Sequence, residues 1–142
     1  MSNSTTIEVL ATETYIIRQE SEVISFIRQI RQLATQAGLN SLYQTKLITA
    51  ASELARNMLN YAAGGDSQIE YIRQGGRKGI RLTFSDKGPG IENIDKAMMD
   101  GYSTGTGMGL GLPGAKRLVN EFTLTSVVGE GTTVTIIMWT HG

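Results

Sequence analysis

Eleven of the chain's 17 glycines fall between Gly75 and Gly114, and six of those lie within residues 101–114. Glycine loses more backbone freedom on folding than any other residue and weakens helix and strand interiors alike. The stretch 101–114 is therefore a poor element interior, and the regular structure has to come mainly from the chain around it. A loop of this kind suits a backbone that approaches a ligand closely, and it is credible as a lid that orders on binding. It would serve equally well as a plain surface loop, so the flanking segments have to decide.

Those segments carry clear periodicities. Residues 14–19, Thr-Tyr-Ile-Ile-Arg-Gln, have the β-branched and aromatic content of a strand, and Ile7-Glu-Val-Leu10 is either a further strand or a loose end. From Ser21, the residues Val23, Ile27, Ile30, Ala34 and Ala37 recur at helical steps as far as Gly38. A second helix opens with Ser41 and Gln44, a capping-box pair, and carries the stripe Leu47, Ala51, Leu54, Met58 beside Ile48, Ala55 and Leu59. Gly64-Gly65 is expected to end it. Gln68–Gln74 and Ile80–Ser85 read as strands joined by Gly75-Gly-Arg-Lys-Gly79, followed by a loop over Asp86–Gly90 and a helical patch over Asn93–Asp100. A helix over Pro113–Glu121 and a hairpin, Thr123–Val128 with Thr132–Trp139 around Gly129-Glu-Gly131, complete the chain. Without βαβ alternation, this order predicts an α+β fold: a two-layer sandwich with a mixed, mostly antiparallel sheet and helices on one face. One domain over 1–142 is expected, with residues 1–12 as a loose N-terminal extension.

Composition removes whole classes of function. There is no cysteine, and the single histidine is His141, so disulfides, thiol catalysis, a Ser-His-Asp triad and polyhistidine metal sites are all out. Thirteen basic residues balance thirteen acidic ones with no run of like charge, which argues against bulk attraction to nucleic acid or a membrane surface. No apolar run approaches the roughly 20 residues of a membrane span. The opening Met-Ser-Asn-Ser-Thr-Thr lacks the basic and apolar pattern of a signal segment, so a cytoplasmic setting is expected.

Three constellations carry chemistry. In Glu53-Leu-Ala-Arg-Asn57, positions four apart share one helix face, so Glu53, Asn57 and Asn60 project together, away from the Leu47/Leu54/Met58 stripe. A carboxylate there can serve as a general base, and an Asn oxygen suits Mg²⁺; alone, the trio would equally be a solvated helix face. Asp86-x-Gly88-x-Gly90 follows a strand, where an Asp can accept from an exocyclic amine while the glycines admit a flat base; alone, it would be a turn. Gly105-Thr-Gly107-Met-Gly109-Leu-Gly111-Leu112 runs into the Pro113 helix, and its exposed amides suit phosphate oxygens. It lacks the Lys-Ser/Thr ending of a Walker loop and the βαβ setting of a Rossmann turn.

In this order, the three strings resemble the N, G1 and G2 boxes of the GHKL (Bergerat-fold) ATP-binding superfamily, over roughly residues 13–140. Ser52-Glu-Leu-Ala-Arg-Asn57, Asp100-Gly-Tyr-Ser-Thr104 and Gly109-Leu-Gly-Leu-Pro-Gly-Ala-Lys-Arg-Leu118 are most similar to the RsbT-type serine/threonine kinases of bacterial stress signalling. The resemblance implies that Asp86 reads the adenine amino group, with Gly88 and Gly90 framing the base and Thr132 or Thr133 holding a bridging water. It implies that Asn57 ligates Mg²⁺, that Gly107, Met108, Gly109, Leu110, Gly111 and Leu112 close over the ATP phosphates, and that Glu53 is the general base. It further implies a serine on a STAS-domain antagonist protein as substrate and a PP2C-type phosphatase as second partner, with neither nucleic acid nor membrane involved. The segment 101–111 is expected to be the least ordered part of the chain without nucleotide.

Other readings stand beside this one. An anti-sigma factor kinase of the RsbW or SpoIIAB kind shares the boxes, but Gly-Leu-Pro-Gly-Ala-Lys-Arg points away from it. A histidine kinase would need a phosphoacceptor histidine, and gyrase- or chaperone-type ATPases would need further domains. A non-catalytic ATP-binding adaptor would not need Glu53. Arg56 and Lys116 are the cations best placed to touch phosphate or a partner, and equally ordinary surface charges. Met98-Met99 reads as core filling, and Tyr61 as helix-end packing.

Overall fold

The structure, a computed structural model, describes residues 6–99 and 111–140. In chain order it runs β1 (Ile7–Ile17), α1 (Glu20–Ala37), α2 (Ser41–Ala62), β2 (Gly65–Gln74), β3 (Arg77–Ser85), α3 (Ile94–Ala97), α4 (Leu112–Leu118), β4 (Glu121–Val127) and β5 (Gly131–Trp139). The strands form one sheet in the order β1-β2-β3-β5-β4, and every pairing among the described residues is antiparallel. The α+β sandwich expected from the element order is therefore present, with an antiparallel rather than a mixed sheet.

Strand alternation sends Ile69, Ile80, Leu82, Phe84, Val134, Ile136 and Met138 to one face, where they meet Val23, Phe26 and Ile30 of α1 and Leu47, Leu54 and Met58 of α2. Phe26 stands edge-on between Tyr15, at 5.6 Å, and Phe84, at 5.7 Å, tying α1 to both β1 and β3. Such pairs add about 0.5–1.5 kcal/mol each beyond the area they bury. A smaller cluster of Ile72, Ile137 and Trp139 sits apart from this core; there Trp139 Nε1 donates to Glu121 Oε2 at 2.7 Å and the Arg77 guanidinium lies 3.9 Å from the ring centre.

Several boundaries differ from the sequence reading. β1 is one strand from Ile7 to Ile17, with a bulge between Val9 and Ala11; the irregularity masks the alternation that would have joined its halves. Asn40, not Ser41, caps α2, its side chain accepting from the Tyr43 amide at 2.7 Å, and Gln44 reaches back to the Leu39 carbonyl instead. Ala63 takes the left-handed cap position, so Gly65 is free to start β2. The first hairpin turns on Gly75-Gly76 alone, with Arg77 already paired to Gln74. The α3 patch is only Ile94–Ala97, and α4 stops at Leu118, because Val119 turns extended and Glu121 starts β4. Gly107–Leu110, Asp100 and His141 lie outside the described residues, as does all but Gly111 of the expected lid 101–111.

Candidate functional site

Asp86 follows the last residue of β3, where the pairing with β5 is handed from backbone to side chain. Its amide donates to the Thr132 carbonyl at 3.0 Å, while the Thr132 amide donates to Asp86 Oδ1 at 3.3 Å. The Gly88 amide reaches the same Oδ1 at 2.9 Å, closing an Asx-type turn. The loop thus uses one carboxylate oxygen, and Oδ2 accepts no hydrogen bond among the described residues.

That carboxylate stands at the edge of a cavity of about 70 Å³ beneath α2. Leu54 and Met58 from α2 and Phe84 and Val134 from the sheet make its apolar surface; Gly90, Ile91 and Leu112 lie on its loop side. Asn57, Tyr61, Asp86 and Thr132 bring polar atoms to it. Burial pushes the Tyr61 hydroxyl above its ordinary pKa, so it remains a neutral phenol at physiological pH. Apolar walls with a few convergent polar groups are the chemistry of a small-ligand site, here one that suits a flat heteroaromatic ring presenting a donor toward Asp86.

Glu53, Asn57 and Tyr61 follow one another at four-residue steps along α2, each about 6 Å further down the axis. Asn57 and Tyr61 line the cavity, and exposed Glu53 extends the row to the start of α4. Gly111 is the N-cap of α4 with φ 75°, and a Cβ there would stand 2.5 Å from Glu53 Oε1. The left-handed backbone favours glycine at this position, and any Cβ there would push the Glu53 carboxylate aside. Among the described residues Glu53 makes no hydrogen bond or ion pair.

A third strand completes the site from behind. Ser126 Oγ accepts the Ile91 amide at 2.8 Å, and it lies 2.8 Å from Thr132 Oγ1 and 3.2 Å from the Gly131 carbonyl. The Gly129 amide donates to the Pro89 carbonyl at 2.9 Å. The hairpin between β4 and β5 is therefore bound to the Asp86–Ile91 loop along its length. Gly131, with φ 138°, is needed for this contact, since a Cβ there would come within 2.0 Å of the Asp86 carbonyl oxygen.

The structure thus brings Asn57, Asp86, Gly90, Leu112 and Thr132 to one cavity, with Gly88 in its loop and Glu53 and Gly111 at its end. Thr133 does not join them; its hydroxyl pairs with Ser85 at 3.3 Å. Asn60 is exposed and does not line the cavity, whereas Leu54 and Met58 share it with Asn57, so the polar row and the apolar stripe meet there rather than opposing each other. Arg56 pairs with Glu20 of α1 at 2.6 Å, an exposed bridge of small energetic weight. Lys116 is exposed and makes no ion pair among the described residues. Met98 packs on the core and Met99 is exposed, so neither lines the cavity. Tyr61 is a correction: it lines the cavity, and its four-residue step from Asn57 was the signal. Ser126 was also passed over, although it is the one polar member of the half-buried β4 row Phe122-Leu124-Ser126.

Residues 43–141 match the family model described as histidine kinase-, DNA gyrase B-, and HSP90-like ATPase. The chain is also 44% identical over 123 residues to the serine/threonine-protein kinase RsbT of Bacillus subtilis (strain 168), an alignment covering 87% of this chain and 92% of that protein.

Proposed function

We propose that the chain, which belongs to the histidine kinase-, DNA gyrase B- and HSP90-like ATPase family, is an ATP-dependent serine/threonine protein kinase of partner switching. Its substrate is a serine on a STAS-domain antagonist protein, and its alternate partner is a PP2C-type phosphatase that it activates. The observation that carries this reading is the row Glu53-Asn57-Tyr61, which joins an apolar cavity, where one Asp86 oxygen accepts no hydrogen bond among the described residues, to an exposed carboxylate at the start of α4. The row runs about 12 Å along α2, which would set a nucleotide lengthwise, base at Asp86 and phosphates toward Gly111.

In this reading Asp86 Oδ2 accepts from the adenine amino group, Thr132 stands beside it, and Leu54, Met58, Phe84 and Val134 pack on the ring. Asn57 offers one amide oxygen to Mg²⁺. Among the described residues no group of three His, Cys, Asp or Glu side chains is arranged to hold a metal. Mg²⁺ dehydrates reluctantly and takes most of its ligands from water and phosphates, so in this reading a single protein oxygen would suffice. When bound, the ion would neutralise charge on the phosphates. The amides of Gly107–Leu112 would close on those phosphates, and Glu53 would take the proton of the incoming serine hydroxyl. Its exposure is what a protein substrate requires. No helix among the described residues is long and apolar enough to cross a membrane, and the proposed setting is the cytoplasm.

The test is transfer from Mg-ATP to a STAS-domain partner, read as phosphoserine. Glu53→Ala is expected to lower transfer by about 10²- to 10⁴-fold, the range of a lost general base, while ATP affinity is kept. Undiminished transfer would remove Glu53 from that role. A wild-type protein that binds ATP but phosphorylates no cognate STAS partner would be an adaptor, and recovery of a sigma factor as main partner would place it with the anti-sigma kinases.

A further inference from the structure

Ser126 does not line the cavity, yet its hydroxyl touches three groups that build it. It accepts the Ile91 amide at 2.8 Å, approaches the Gly131 carbonyl at 3.2 Å and pairs with Thr132 Oγ1 at 2.8 Å. A serine hydroxyl has one proton to donate and two lone pairs to accept with. The Gly131 carbonyl can only accept, so satisfying all three contacts sends the serine proton to Gly131. The Thr132 hydroxyl must then donate to Ser126. With its single proton held by Ser126, which is not among the residues lining the cavity, Thr132, which is, can offer its hydroxyl only as an acceptor. Asp86 lines the same cavity, its Oδ1 accepting the Thr132 amide at 3.3 Å, and its carboxylate is an acceptor too.

We infer that Ser126 is a positioning residue for nucleotide selectivity: by holding the Thr132 proton it makes the polar end of the cavity a pair of acceptors, which favours a 6-amino purine over a 6-oxo purine. The inference rests on the reading that this cavity holds the base. An amino group has two hydrogens for two acceptors, whereas an oxo group sets a further acceptor against them and leaves the neighbouring N1–H to pair with at most one, and sites built on such pairing discriminate between the two. Without Ser126 the Thr132 hydroxyl can rotate and donate to an oxo group, so the penalty against the wrong base falls. Its effect on base choice runs through Thr132, whereas its hold on the Ile91 amide shapes the loop for either base.

Titration of the full chain with ATP and with ITP, which carries a 6-oxo group and no 2-amino group, tests this directly. The wild type is expected to prefer ATP. Ser126→Ala should reduce the ATP-over-ITP preference about tenfold, the scale of one neutral hydrogen bond. Ser126→Thr, which keeps the hydroxyl, should retain the preference, and in a Thr132→Val background Ser126→Ala should change it no further. If Ser126→Ala does not fold, Ser126→Cys, with its weak acceptor, should give an intermediate preference. A Ser126 variant that weakens ATP and ITP equally, or a loss of preference that persists in the Thr132→Val background, would overturn the inference. A wild type that binds both nucleotides alike, or keeps its preference in Asp86→Asn, would overturn the base-site reading and the inference with it. Dependence on Asp86 but not on Ser126 would overturn the inference alone.

Discussion

Two hairpins with glycine turns occupy this sheet, and they serve different ends. The β2–β3 turn, Gly75-Gly76, only reverses the chain: a Cβ on Gly76 would meet nothing within 4 Å. The β4–β5 turn, residues 128–130, folds onto the Asp86–Ile91 loop, with Gly129 bonded to Pro89, Gly131 against the Asp86 carbonyl and Ser126 holding Ile91. One glycine turn is thus a scaffold corner and the other braces a loop that lines the cavity. What separates them is the company they keep in space: β3 and β5 are neighbours, so whatever follows β3 meets whatever precedes β5.

The largest test of this contrast is Gly131→Ala. Its Cβ would come within 2.0 Å of a backbone oxygen at a φ of 138°, so loop and hairpin must separate. A cost of about 3 kcal/mol or more is expected in urea unfolding, with ATP affinity lost alongside. Retained affinity would mean that the loop holds its shape without the hairpin.

The scaffold half should answer in stability alone. Tyr15 of β1 is held protonated by burial and by its hydrogen bond to Glu13, its pKa pushed up from 10.0 to about 12. Because the folded value is the higher one, its contribution is complete below about pH 10 and is lost as pH rises toward about 12. Tyr15→Phe should therefore show a shallower fall of urea midpoint than the wild type over that range, with ATP affinity at neutral pH unchanged; an equally steep fall would assign the loss to other groups.

Ser67, directly across from Tyr15 on β2, is smaller in effect and opposite in sign. Its Oγ is buried and has no hydrogen-bond partner among the described residues. Ser67→Ala should raise stability by about 1 kcal/mol, the cost of an unpaired buried hydroxyl, and a loss instead would show that the hydroxyl has a partner in solution. Gly76→Ala closes the series within about 0.5 kcal/mol of the wild type, as for other unencumbered surface positions. A cost like that of Gly131→Ala would erase the distinction between the two turns.

Much of this was legible in the chain because helices and strands announce themselves by local periodicity. The α1 and α2 stripes needed nothing beyond the spacing of Val23, Ile30, Leu47, Leu54 and Met58. The edges were less legible. The β1 bulge interrupts its alternation, Asn40 competes with Ser41 for the same cap, and Val119 is carried into the extended conformation before β4 by tertiary pairing, the Asn120 amide bonding the Ile137 carbonyl at 3.0 Å. At the site, Glu53, Asn57, Asp86 and Thr132 were found through motifs, while Tyr61 and Ser126 belong to no motif and act only through position.

The sequence by itself determined the element types, the α+β class, the exclusion of cysteine and histidine chemistry and the three strings that mark the family, since each depends on residues close together in the chain. The tertiary structure alone decided which glycines do more than turn, that Thr132 rather than Thr133 faces the cavity, that Arg56 pairs with Glu20, and that Ser126 stands behind Thr132. Those outcomes depend on which strands become neighbours and which face each side chain takes. Pairing across 40 or more residues, as between Asp86 and Thr132, is settled by burial of the whole sheet and not by any local pattern.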